Sequence, residues 1–210
     1  MLFCNSLSLR AQFEGSKQIF AIPDLKEVIS SHKKIAIIPL NTSIQYYKMP
    51  KNLESVIGDE EKKLGLALQS HLYSNLLRNS TNFSIYIQDI ERTNNLLQKA
   101  GIDEKGSQLN PEELCKILQV DAIIIANYNW NKLRSESAAI ARTLLFGMGG
   151  GIASGSITIQ IHEAKEGRML WRFNRDIVEG VFSSEHGIKR KMMRQIARNF
   201  PYRQKNISFH

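Results

Sequence analysis

Cysteine is almost missing from this chain. Cys4 and Cys115 are the only two in 210 residues, and without a C-x-x-C pair or clustered histidines they do not make a metal site. Cys115 falls inside a helical pattern, where a small buried thiol is the simplest reading. So low a cysteine content suits a cytoplasmic address and a bacterial periplasmic one equally.

Catalytic and cofactor signatures are missing too. The five histidines (His32, His71, His162, His186, His210) are scattered, and neither a Gly-x-Ser-x-Gly elbow nor a His-Glu-x-x-His pair occurs. The glycine run Gly147-Met148-Gly149-Gly150-Gly151 is followed by no Gly-Lys-Ser/Thr, and the third glycine of a dinucleotide fingerprint would fall on Ile152. A phosphate cradle opens a helix, whereas this run feeds a strand at Ile157. The acidic pairs Glu60-Glu61 and Glu112-Glu113 sit at helix starts, where the helix dipole explains them. No enzymatic activity, cofactor or metal is expected.

Long apolar runs are scarce. Ala138 to Gly155 carries one charge, Arg142, but Gly and Ser dilute its second half. A flap or hairpin packed on the core, on a partner or on a lipid surface fits this segment better than a membrane span. Acidic residues vanish after Glu185: seven cations (Lys189, Arg190, Lys191, Arg194, Arg198, Arg203, Lys205) follow with no Asp or Glu. The formal charge of +8 is therefore the property of a basic C-terminal end, and residues 1–185 are nearly neutral.

What is present is an ordinary globular composition, 42% hydrophobic and 23% charged, with length for one well-buried core. The chain is organised around Pro111 to Trp130. Asn110 caps a helix, Pro111 fits its first position, Glu112 and Glu113 meet the dipole, and Leu114, Ile117 and Leu118 share a face. Ala122-Ile-Ile-Ile-Ala126 then reads as a strand apolar on both faces, which belongs in the middle of a sheet.

Taken in order, Phe13 to Ser31 is amphipathic, Pro23 and Asp24 open a short helix to about Ile29, and Lys33 to Leu40 is a core strand, apolar from Ile35 on and stopped by Pro39. Asn41 to Gly58 reads as a polar connection. A helix from about Asp59 to Leu77 follows, striped by Leu64, Ala67, Leu68, His71, Leu72 and Leu76, with His71 half-buried. Phe83–Ile87 alternates as a strand, and a helix from Asp89 ends at Gly101. Beyond a polar hinge at 131–136, Ile157–His162 and Met169–Asn174 form a hairpin turning at Gly167. A final helix, about Ser184 to Asn199, sets Ile188, Met192, Ile196 and Phe200 against Lys189, Arg190, Lys191, Arg194 and Arg198. The expected fold is α/β: a mixed sheet of about five strands covered by amphipathic helices, with a C-terminal β-hairpin and a final helix. Residues 1–32 form an N-terminal segment, 33–200 one domain, and 201–210 a basic tail. Leu9-Arg10-Ala11 before Gln12 has the small residue of a signal-peptidase site, so a signal-peptide remnant is expected at this end.

Lys34-Ile-Ala-Ile-Ile-Pro39, the helix ending near Leu77, Leu118-Gln-Val-Asp121-Ala-Ile-Ile-Ile and Gly167-Arg-Met-Leu-Trp171 together carry a family pattern. Over roughly 33–200 the chain resembles the α/β domain of the curli-secretion lipoprotein superfamily. That superfamily includes the penicillin-binding-protein activator lipoprotein and is similar to the N-terminal domain of the Tol-system translocation protein. The resemblance implies an exported, non-enzymatic protein, periplasmic or outer-membrane-associated, that works through protein contacts in the cell envelope, often as a lipoprotein or oligomer. In the curli pore, membrane hairpins are inserted into this domain, and Ala138–Gly155 occupies a comparable late position. One such segment stands where the pore has paired hairpins, and Phe3 is too bulky to precede a lipidated Cys4, so pore formation is not carried over. The expected partner-binding residues are Leu145, Phe146, Met148 and Ile152 on the apolar segment and Lys189, Arg190, Arg194 and Arg198 on the final helix. Peripheral membrane contact is a further expectation for these surfaces. The alternative is a cytoplasmic module that binds nucleic acid or anionic ligands through the same four cations. Against it, charge runs are usually solvated faces, and aromatics for base stacking appear only at Phe200 and Tyr202.

Overall fold

In a computed structural model of the chain, residues 17–46, 54–102, 109–132, 151–180 and 185–203 are described. Seven strands form one mixed sheet: β1 (Lys17–Ala21), β2 (Lys34–Ile37), β3 (Asn41–Tyr46), β4 (Tyr86–Ile87), β5 (Ala122–Lys132), β6 (Gly151–Glu163) and β7 (Met169–Gly180). The helices are α1 (Leu25–Ser30), α2 (Glu54–Leu77), α3 (Ile90–Lys99), α4 (Pro111–Leu118) and α5 (Glu185–Asn199).

The join between α4 and β5 forms as its residues dictate. Asn110 Oδ1 accepts from the Glu113 amide at 2.8 Å, and the Asn110 amide donates back to Glu113 Oε2 at 3.3 Å, a reciprocal box around Pro111. Gln119 closes the helix in the left-handed region, φ 56°, and the chain enters β5. There Ala122, Ile123 and Ile124 pair in parallel with Ile35, Ala36 and Ile37 of β2, which places the two expected core strands side by side.

Strand order is β1-β7-β6-β5-β2-β4, with β3 continuing beyond β2 along the far half of β5. The pairs β5–β6, β6–β7 and β7–β1 are antiparallel; β2–β4, β2–β5 and β3–β5 are parallel. On one face Ile35, Ile37, Ile124, Ile157, Ile159, Trp171 and Phe173 pack with Leu68, Leu72 and Leu76 of α2 and Met192, Met193 and Ile196 of α5. On the other, Ala36, Ile38 and Ile123 meet Leu97 of α3 and Leu114, Cys115 and Leu118 of α4. Each fully buried aliphatic side chain contributes about 1.5–3 kcal/mol relative to exposure.

Four local expectations are corrected. The stretch expected as a polar connection holds β3, because a strand pairs through its backbone and needs only an inward alternation: Thr42 and Ile44 are buried while Asn41, Ser43 and Gln45 alternate outward. Helix α2 begins at Glu54 rather than near Asp59. His71 is exposed, and so is Ala67; the polar side chain that enters the core from this helix is Gln69, fully buried. The Phe83–Ile87 segment keeps its alternation, with Phe83, Ile85 and Ile87 buried, but only Tyr86 and Ile87 join the ladder. Strand β1 is an element that the sequence pattern does not announce.

Candidate functional site

Several ionisable side chains lie at the end where β2 and β5 begin, and their partners show what they do. Asp121 Oδ2 accepts from the backbone amides of Lys33 at 2.7 Å and Lys34 at 2.8 Å, fixing the entry of β2 against β5. Glu163 Oε1 accepts from Arg168 Nε at 2.9 Å across the β6–β7 turn, and the same guanidinium lies 3.6 Å from Asp24. His162 Nδ1 donates to the Gly167 carbonyl at 2.9 Å, which leaves Nε2 a buried acceptor without a partner among the described residues. These carboxylates hold backbone and turn. Replacing Asp121 with alanine is expected to cost about 1–3 kcal/mol, because two amides lose a charged acceptor; urea unfolding checks it, and an unchanged midpoint refutes the role.

His32 and Tyr202 form a second contact here. Tyr202 is 1% exposed although it lies beyond Pro201, in the segment expected as a tail. Its hydroxyl sits 2.7 Å from His32 Nδ1. Burial holds the phenol above its ordinary range, so the hydroxyl stays protonated and donates to the neutral imidazole. Burial also lowers the His32 pKa, opposed by the charges of Asp121 and Glu163. A histidine that titrates lower in the folded chain binds fewer protons there than when unfolded. Its contribution is therefore complete above about pH 6.5 and is lost as pH falls from there through the lower folded value. Denaturation midpoints should decline across that window in the native chain and decline less in His32→Gln; parallel curves would refute it.

A buried amide network lies at the opposite ends of β2 and β4. Gln69 Nε2 donates to the Ile37 carbonyl at 2.7 Å and to Asn94 Oδ1 at 3.0 Å, and Asn94 Nδ2 returns a bond to Gln69 Oε1 at 3.1 Å. It ties α2, α3 and β2 together. No motif in the sequence signals it, because its partners come from two helices and a strand far apart in the chain.

Among the described residues, one sheet face is only partly covered by helices. Helices α3 and α4 cover β2 and the first residues of β5 but stop near Ile125. Beyond them the register aligns Gln18, Asn174, Thr158, Asn127 and Asn41 in one row across five strands, and Phe20, Arg172, Gln160 and Ile125 in the next. Neutral amides and hydroxyls dominate, and they bond to one another: Asn41 Nδ2 to Asn127 Oδ1 at 3.2 Å, and Thr158 Oγ1 to Asn174 Oδ1 at 2.7 Å. The signal was in the alternation of polar residues along β3, β5 and β6.

Of the residues expected to bind a partner, Leu145, Phe146 and Met148 lie outside the described residues. Ile152 lies in β6, and Lys189 and Arg190 lie in α5, with side chains outside the description. Arg194 and Arg198 are exposed on α5, whose opposite face buries Met192, Met193, Ile196 and Ala197. Gln195 accepts a hydrogen bond from Arg175 of β7, so α5 is docked on the sheet. No group of three or more His, Cys, Asp or Glu side chains able to hold a metal occurs among the described residues, and no described helix is long and apolar enough to cross a membrane.

No protein-family model matches the chain, and no curated protein sequence does. Among solved structures it is similar to the PelC dodecamer from Paraburkholderia phytofirmans, at 10% identity over 91% of this chain and 99% of that one, with a TM-score of 0.47. It is similar to lipoprotein GNA1162 from Neisseria meningitidis, at 14% identity over 79% and 94%, TM-score 0.40. The LpoB C-terminal domain from Escherichia coli is similar at 8% identity over 74% and 93%, TM-score 0.34.

Proposed function

We propose that the chain is a non-enzymatic, exported protein of the bacterial cell envelope that acts through protein contacts, as an adaptor or an accessory of assembly or secretion. One observation supports this reading above the others: among the described residues, α3 and α4 cover only the β2 end of the second sheet face, and a row of neutral polar side chains five strands wide lies beyond them. The carboxylates at the sheet end are bonded to backbone amides and a guanidinium, which suits a scaffold. The envelope setting rests on the sequence resemblance. Contact residues are proposed on the 138–155 segment, at Leu145, Phe146, Met148 and Ile152, and on α5, at Lys189, Arg190, Arg194 and Arg198; a homo-oligomer is one arrangement these surfaces serve.

Fractionation of cells that express the tagged full-length product tests the proposal. The expected result is a periplasmic or membrane-associated product. A soluble cytoplasmic product would overturn it, and would favour the module that binds anionic ligands through the four cations. That alternative expects binding to generic duplex that weakens steeply with salt and disappears when the four become alanine.

A further inference from the structure

We propose that β1 is a docking edge to which an extended, acidic segment of a partner protein adds as a further strand. The inference rests on the reading that the chain works through protein contacts, and it names the surface and the chemistry of the occupant.

Strand β1 ends the sheet, and its only ladder partner among the described residues is β7. The alternation of that ladder can be phased. The Ile22 amide donates to the Leu170 carbonyl at 3.0 Å, so the pair Ile22–Leu170 is hydrogen-bonded. In an antiparallel ladder such pairs alternate with non-bonded ones. Phe20 and Gln18 therefore bond inward to Arg172 and Asn174, while Lys17, Ile19 and Ala21 turn their backbone N–H and C=O groups away from the sheet.

Proteins commonly block such an edge with central charges, proline, a bulge or a covering element. Here all five residues are exposed, and the centre of the strand is Ile19 and Phe20, 45% and 49% exposed. The opposite edge differs: β4 has two residues, and beside it the Ser84 amide donates to the Tyr202 carbonyl while Phe83 bridges to Arg203. The unpaired backbone row selects an extended chain as occupant, since only a strand returns donor and acceptor at that repeat.

Charge selects its composition. Across β1 and the five β7 residues paired with it, the charged side chains are Lys17, Arg172 and Arg175, all cationic. Of the described carboxylates next in sequence, Asp176 follows Arg175 directly and Asp24 faces Arg168. A second copy pairing through the same edge would set Lys17, Arg172 and Arg175 against cations of their own kind. A segment that alternates carboxylates with apolar residues pairs with the cations and covers Ile19 and Phe20.

The test uses the full chain and a blocked octapeptide alternating valine with glutamate. Two controls are the same peptide with lysine for glutamate and one N-methylated at the amides of its bonding edge. In the free chain the amides of Ile19 and Ala21 should exchange at least tenfold faster than those of Gln18 and Phe20, and saturating glutamate peptide should slow them at least tenfold. The lysine and N-methylated peptides should bind at least tenfold more weakly. Ile19→Pro, which removes an outward donor at an edge position that tolerates proline, should abolish binding; the N-methylated peptide makes the same test without altering the chain. Absence of protection with the glutamate peptide, or equal binding of the lysine peptide, overturns the proposal. So does protection of Ile19 and Ala21 that rises with chain concentration alone, which would assign the edge to a second copy. If these results fail while the product still fractionates to the envelope, the edge is refuted and the proposed function is not. If a cytoplasmic product still binds the peptide, the reverse holds.

Discussion

Gly65→Val should lower the thermal unfolding midpoint by roughly 6–12 °C, while Gly58→Ala, seven residues earlier in the same helix, should raise it slightly. Glycine in a helix interior ordinarily costs about 1 kcal/mol relative to alanine, so filling either site is favourable on propensity alone. Space decides otherwise at one of them. A Cβ at Gly65 would collide with the Leu40 carbonyl oxygen, backbone that cannot rotate away, and the Leu40 amide donates to the Gly65 carbonyl at 3.4 Å. The missing side chain lets α2 lie directly on the chain between β2 and β3. At Gly58 nothing lies within 4 Å of the added atom. Overpacking against a fixed group costs about 1–3 kcal/mol, with valine near the top, and each kcal/mol moves the midpoint of a chain this long by about 2–4 °C. Calorimetry on the two variants checks the opposite signs; a Gly65→Val protein as stable as the parent would refute the close approach.

Cys115 should resist alkylation in the native protein at pH 8 and react within minutes once urea unfolds the chain. The thiol is 1% exposed and free, and burial beside the Asp121 charge pushes its pKa to about 12. Against a thiol titrating at the ordinary 9.0, the reactive thiolate is about a thousandfold scarcer at that pH, before access is counted. Mass spectrometry of the peptide that contains Cys115, after timed iodoacetamide treatment, measures this. Stoichiometric labelling of folded protein would show a reachable thiolate, and would reopen Cys115 as a nucleophile. The expected protection agrees with the simplest sequence reading, a small apolar side chain among Leu97, Leu114 and Leu118.

The elements legible in the sequence were those with both a local signal and a buried one. The Asn110–Glu113 box, the Asp89 cap, the turn at Gly167 and the apolar run at Ile123 each combine a backbone requirement with side chains that report it. Strand β1 gives no such report, because Ile19 and Phe20 are adjacent rather than alternate and neither is buried. Strand β3 does alternate, through Thr42 and Ile44, but its polar residues masked a pairing made by backbone. Gln69 and Tyr202 carry no sequence signal of burial, because a polar residue on a helix and an aromatic near the chain end enter the core only through hydrogen-bond partners that the fold supplies. The open row of Gln18, Asn174, Thr158, Asn127 and Asn41 could not be assembled from sequence, since it needs the register of five strands.

Strand β5 runs for 11 residues, whereas β2, its parallel neighbour at the Asp121 end, runs for four. At about 3.3 Å per residue, Lys132 stands roughly 33 Å from Ala122. The end of β5 at Lys132 therefore lies at the pole of the sheet opposite His32, Cys115 and Asp121. The two poles are separable for engineering and for natural variation: substitutions near Lys132 alter what the far end of β5 presents, while the pole where the first strands are pinned keeps its folding chemistry.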